Sequence, residues 1–181
     1  METTGQLTPK AKKLLRTAKQ LFVENSIHRI GVDQIVLESD VTKATLYKYF
    51  GSKEGLLIKC IKSEVQKSKD SIQELLNNSS GIESLRLLHE WHLSFRDFSL
   101  TGGTLLCKGS VELAYIPEVV TALEEYQEWK FQLLILLAKE SGCMEEAKVK
   151  ILMNLFNSIL APYNKIYPTW EEILDVLQIG I

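Results

Sequence analysis

Apolar residues recur along this chain at intervals of three and four almost from end to end, the spacing that lines one face of a helix. Thr8 before Pro9 reads as an N-cap with proline in the first turn, and Ala11, Leu14, Leu15, Ala18, Leu21 and Phe22 carry the stripe onward. Val32, Ile35 and Val36 predict a second, short helix with Asp33 in its first turn, where negative charge suits the helix dipole. Ser39-Asp40-Val41 breaks the pattern, and Asp40 is a residue type that tolerates the left-handed conformation of a tight turn. Thr42 caps a helix expected from Lys43 to Phe50, anchored inward by Leu46 and Phe50. Gly51 stops that helix, and Ser52 caps the next, which runs to about Leu76.

Beyond Leu76 the punctuation continues to mark helices. Ser80 with Glu83 predicts a capping box and a helix to about Phe98. Gly102-Gly103 precedes a helix over about 104–114, Pro117 opens a long helix ending at Gly142, and another covers about 144–160. Thr169 with Glu172 caps a final short helix. No strand alternation and no internal repeat appears, so the fold class is all-α.

Two short helices joined by a turn of three or four residues make a helix-turn-helix, whose second helix lies in the DNA major groove. The segment resembles the DNA-binding region of the TetR family of bacterial transcriptional regulators. The resemblance is carried by Leu14, Ala18, Leu21, Phe22, Val32 and Ile35, by the run Val41-Thr42-Lys43-Ala44-Thr45-Leu46-Tyr47-Lys48-Tyr49-Phe50, and by Ser52-Lys53-Glu54 with Leu56. It covers roughly the first third of the chain. Asp40 stands where the family usually has Gly, Val36 where a small Ala is common, and Gly31 where a Ser or Thr often touches phosphate. The resemblance implies a three-helix DNA-binding domain over residues 1–52, followed by a helical-bundle ligand-binding and dimerisation domain over 53–181. It also implies a dimeric repressor that a small molecule releases from a near-palindromic operator in double-stranded DNA. Thr42, Lys43, Thr45, Tyr47, Lys48, Tyr49 and Lys53 are the expected DNA contacts. The alternative is a helical partner- or small-molecule-binding module of the same fold without ligand-controlled DNA binding.

Charge sharpens the division. Residues 1–60 hold ten Lys/Arg against six Asp/Glu, whereas 61–181 hold eleven against seventeen. A basic head on an acidic remainder suits nucleic acid at one end only. No apolar run is long enough for a membrane span, and the start of the chain lacks a signal-peptide pattern. Cys60, Cys107 and Cys143 form an odd, scattered set, which suits a reducing cytoplasmic setting without a structural metal.

The second part offers surfaces and a cavity. The run from Phe131 to Ala138 is apolar almost all round and so requires burial on both sides. With the following helix it predicts a homodimer contact through Phe131, Leu134, Leu137, Leu152, Phe156 and Ile159, against the simpler reading of one thick core. Leu88, Trp91, His92, Phe95 and Cys107 are candidate lining for an effector pocket, against ordinary core packing. His92 reads equally as a core histidine bonded to backbone, and Cys107 reads better as a buried structural thiol than as a sensor. Motifs for catalysis, cofactors or metals are missing, since no phosphate loop, HExxH or nucleophile elbow occurs. The reading is of a non-enzyme.

Overall fold

The computed structural model describes residues 7–95, 104–142, 145–161 and 166–178, with only the backbone of Val176, and every regular element among them is helical. In chain order these are α1 (Pro9–Glu24), a 3-10 turn (Ile27–Arg29), α2 (Val32–Ser39), α3 (Lys43–Phe50) and α4 (Lys53–Leu76). They are followed by α5 (Gly81–Leu93), α6 (Leu105–Glu112), α7 (Pro117–Glu140), α8 (Glu146–Ile159) and α9 (Trp170–Leu177). No helix among the described residues is long and apolar enough to cross a membrane.

Local chemistry fixes most of the boundaries. The hydroxyls of Thr8, Thr42 and Ser52 accept from the backbone amides of Ala11, Thr45 and Gly55 at 3.4, 3.3 and 2.9 Å. Each satisfies one of the amides that a helix start leaves without an internal partner. Asp40 closes α2 at φ 51°, the left-handed turn expected of it. Thr169 and Glu172 form the predicted capping box of α9, with bonds of 3.2 and 2.7 Å. The box predicted for Ser80 and Glu83 does not form. The Glu83 carboxylate is held by Arg86 at 2.6 Å, and the Gly81 amide instead donates to Glu140 at 3.0 Å. Helix α5 ends at Leu93 with Ser94 as its C-cap, short of the expected Phe98; residues 96–98 lie outside the described residues.

The first three helices pack around Leu14, Ala18, Phe22, Ile35 and Leu46, all fully buried. That core does not stop at residue 52. It continues through Leu56, Cys60, Ile61 and Val65 of α4 into Leu105, Leu113, Ile116, Val119 and Tyr126 of the second part. A second core joins α4, α5, α7, α8 and α9 through Ile72, Leu85, Leu88, Leu134, Leu152, Phe156 and Ile173. Truncating a phenylalanine this deeply buried, such as Phe22 or Phe156, typically costs about 3–5 kcal/mol.

Two glycines sit where helices approach closely. A Cβ on Gly55 would lie 2.0 Å from the Phe50 carbonyl oxygen, so the bend from α3 into α4 needs glycine there. A Cβ on Gly109 would lie 2.7 Å from Ile61 Cδ1, which lets α6 sit directly on α4.

The structure redraws the expected dimer face. Leu134, Leu137, Leu152, Phe156 and Ile159 are between 0% and 5% exposed within a single copy, and Phe131 borders the cavity described below. A helix that is apolar all round gives no sign of which side meets its own protomer. Leu136 at 54% and Ile151 at 48% exposure are instead the large apolar side chains that α7 and α8 leave open.

Candidate nucleic-acid interface

Helix α3 is held by its inner side and open on its outer one. Leu46 is fully buried and Phe50 half-buried, while Thr42, Lys43, Tyr47 and Lys48 are exposed and Thr45 and Tyr49 partly covered. A spacing of four between Leu46 and Phe50 puts both anchors on one face and leaves the cations and phenols on the other. The Lys48 ammonium lies 5.5 Å from the centroid of the Tyr49 ring. The structure therefore brings six of the seven predicted residues onto one small helix and its cap.

The lysines differ in how free they are. Lys43 forms an ion pair with Asp33 of α2, and that hydrogen bond is the main cause holding its ammonium above the usual range. Both groups are largely exposed, so solvent screens the pair and a phosphate can compete for the lysine. Lys53 is turned away from the outer face. Its Nζ donates to the Ile27 carbonyl at 3.2 Å, and partial burial lowers its pKa. Its expected phosphate contact would require that bond to be exchanged.

Two charged side chains of α6 converge on the junction that ends α1. Lys108 of α6 is 8% exposed and donates to the carbonyls of Phe22 at 3.4 Å, Asn25 at 3.1 Å and Val23. Carbonyls in the last turn of a helix lack internal partners, and a cation there also suits the negative end of the dipole. Glu112, one turn on, accepts from Ser26 Oγ and the Ile27 amide, both at 2.8 Å. Helix α6 is thus strapped to the first three helices by both signs of charge. Sequence reasoning missed this, because the partners are backbone groups more than eighty residues away.

The other side of α6 borders a cavity of about 710 Å³ set among α4, α5, α6, α7 and α8. That volume lies within the ordinary range for ligand sites. Trp91, Phe95 and Cys107 border it, together with Leu106, Leu123 and Phe131. Leu88 and His92 do not reach it. They border a separate void of about 10 Å³ inside the second core. His92 Nδ1–H donates to the Leu88 carbonyl at 2.7 Å, and the ring stacks on Phe156 at 4.8 Å. Burial pushes its pKa down to about 3, so the ring is neutral, and the Nε2 lone pair has no partner among the described residues. This is the core-histidine alternative. Burial also raises the thiol pKa of Cys107, and that of Cys60 to about 12, the opposite of what a reactive thiolate needs. Cys143 lies outside the described residues.

One lining residue has no precedent in the sequence reading. Lys130 occupies the buried stripe of α7 between Tyr126 and Leu134, is 4% exposed, and donates to Asn157 Oδ1 at 2.7 Å. Its only legible signal was a lysine at the spacing of apolar neighbours.

Comparison with known proteins agrees with this geometry. Residues 14–60 match the family described as bacterial regulatory proteins, tetR family. The fatty acid metabolism regulator protein of Bacillus subtilis (strain 168) is 28% identical over 90 residues, 49% of this chain and 46% of that one. The uncharacterized HTH-type transcriptional regulator YxaF of the same organism is 35% identical over 78 residues, 42% of this chain and 41% of that one. The matched segments thus span less than half the length of either relative. In fold, the chain resembles the TetR-family transcriptional regulator SCO4454 from Streptomyces coelicolor at a TM-score of 0.81 and 20% identity, covering 93% of this chain and 94% of that one. It also resembles the fatty acid degradation regulator FadR from Bacillus halodurans at 0.66 and 21%, covering 97% of each. Residues 14–60 thus match the DNA-binding region of the tetR family of bacterial regulatory proteins, and over nearly its whole length the chain shares the fold of the solved TetR-family regulators.

Proposed function

We propose that this protein is a sequence-specific, DNA-binding transcriptional repressor of the cytoplasm, active as a homodimer and released from its operator by a small molecule in the 710 Å³ cavity. The observation that carries the ligand-controlled reading is α6. One of its sides lines the cavity through Leu105, Leu106 and Cys107, and Lys108 and Glu112 tie it to the end of α1. A ligand acts only through different affinity for two states of the protein. Here a group that displaces α6 displaces the straps with it, so occupancy of the cavity and placement of the reader share one element.

The DNA contacts are assigned to α3. Tyr47, Lys48 and Lys43 meet base edges and adjacent phosphates, Thr42, Thr45 and Tyr49 support from the cap and flank, and Lys53 reaches phosphate on giving up the Ile27 carbonyl. A dimer would set two such helices about 34–36 Å apart, one turn of a near-palindrome. The second copy is met by the outer sides of α7 and α8, where Leu136 and Ile151 are exposed.

Selection of fragmented source-genome DNA on the purified protein tests the reading. Recovery of a short near-palindrome at near-physiological salt supports it, as does its loss when a cavity ligand is added. Enrichment without sequence preference, or an operator complex unaffected by every ligand that fills the cavity, refutes it.

A further inference from the structure

Burying an ammonium without an opposing charge is costly, and a helix stripe that needs only packing is served by leucine. Lys130 nevertheless lies 4% exposed on that stripe of α7 and borders the large cavity. Its partners are neutral. Nζ donates to Asn157 Oδ1 at 2.7 Å and sits 5.1 Å from the centroid of the Tyr126 ring. No carboxylate among the described residues forms an ion pair with it, and burial alone accounts for a pKa lowered to about 8. The ammonium is therefore mostly charged at neutral pH. The Asn157 amide is fixed by a second bond, from its Nδ2 to Gln127 Oε1 at 3.4 Å, so its oxygen stays toward the lysine.

The other titratable groups around the site do not supply the missing charge. Glu64 is held by Lys19 at 2.6 Å. Glu124 and Glu128 are exposed at the cavity's edge, with Glu128 accepting from Gln132 at 2.8 Å. Burial raises the Tyr126 phenol to about 12, and His92 behind the wall is neutral. The rest of the lining is mainly apolar, from Trp91 and Phe95 across Leu106 and Leu123 to Phe131, with neutral polar groups at Ser68, Thr104, Ser110 and Gln127. Among the lining residues Lys130 is the one cation, set in a largely apolar wall.

We propose that the cavity takes an amphipathic monoanion, a carboxylate or similar acid head on an apolar body, with the head on Lys130 Nζ beside Asn157 and the body along Trp91, Phe95 and Phe131. This rests on the ligand-controlled reading above and names the ligand's chemical class. The incoming anion provides the counter-charge that the unliganded protein lacks, and the low-dielectric wall strengthens the pair once water is expelled.

Calorimetric titration with dodecanoate, dodecanol and dodecylammonium below their aggregation limits tests it. The three have nearly the same apolar body and carry an anionic, a neutral and a cationic head. The wild-type protein should bind dodecanoate at least tenfold more tightly than dodecanol. Lys130→Met should bring the two within twofold while retaining dodecanol, and without ligand it should melt higher than wild type. Equal or tighter binding of dodecanol or dodecylammonium overturns the proposal, as does failure to bind dodecanoate. A preference for dodecanoate that survives Lys130→Met also overturns it, and so does a lower melting temperature, which would make Lys130 a packing residue. Failure of the underlying reading has a different signature: dodecanoate binds with the full Lys130-dependent preference, yet the operator complex is indifferent to it.

Discussion

Replacing Lys108 by Met removes the cationic strap while keeping an unbranched stem of similar length. The ammonium serves three carbonyls at the end of α1, at 3.1 Å from Asn25, 3.4 Å from Phe22 and in close contact with Val23. The Phe22 and Val23 carbonyls belong to the last turn, which cannot satisfy them internally. Hydrogen bonds to a charged donor contribute about 1.5–3 kcal/mol, and the helix-dipole interaction adds up to about 2 kcal/mol in partly buried geometry. Because the three carbonyls share one ammonium, a net loss of roughly 2–4 kcal/mol is expected. For a chain of this size that lowers the melting temperature by about 4–16 °C. Urea denaturation of Lys108→Met against wild type measures it, with the exposed Lys139→Met on α7 as control. Hydrogen exchange at Ile27, whose amide is held by Glu112, should quicken as α6 loosens. A destabilisation below about 0.5 kcal/mol, the range of an ordinary surface substitution, would refute the strap.

Tyr47→Ala and Lys48→Ala should each lose roughly 1–3 kcal/mol of specific operator binding in a gel-shift titration while their melting curves stay unchanged. Normal affinity in both would remove α3 from the major groove. Leu136→Glu should leave a folded protein that sediments as a monomer, whereas Leu134→Glu, 3% exposed, should fail to fold. A folded Leu136→Glu dimer would place the interface elsewhere. His92 binds a proton at pH 6.5 when unfolded and only near pH 3 when folded, so its contribution to stability is present above pH 6.5 and is lost as pH falls toward 3. Between pH 7 and pH 5 this amounts to about 2 kcal/mol. His92→Leu should flatten that part of the pH–stability curve, and an unchanged slope would contradict the buried neutral ring.

What could be read in the sequence was local. The caps at Thr8, Thr42, Ser52 and Thr169 and the left-handed Asp40 depend on residues within a few positions, so composition at fixed spacing announces them. The same logic failed at Ser80 because Arg86, three residues further on, took the Glu83 carboxylate that the box requires. Direction around α7 was illegible for another reason. An apolar run with no polar side has no azimuth, and five of the six residues expected between two copies lie inside one. Trp91 and Phe95 drew notice because aromatics on a helical stripe are few, and both border the cavity. Lys108 and Lys130 were passed over because a lysine is ordinarily solvated, and nothing nearby in the chain shows that its ammonium is indoors.

The contact of Gly109 with Ile61 sets the mechanics of α4. With only the Ile61 side chain between them the two helices approach closely there, and Ile61 would serve as the fulcrum of any tilt of α4. At 1.5 Å per residue, Ser68 at the cavity lies about 10 Å to one side of that point and Lys53 beside the reader about 12 Å to the other. The arms are nearly equal. A tilt that moves the cavity end by one ångström moves the reader end by a little more, in the opposite direction. Gearing of this kind would neither amplify nor dissipate a small push, so under the proposed ligand control a displacement at the cavity would reach α3 at close to full scale.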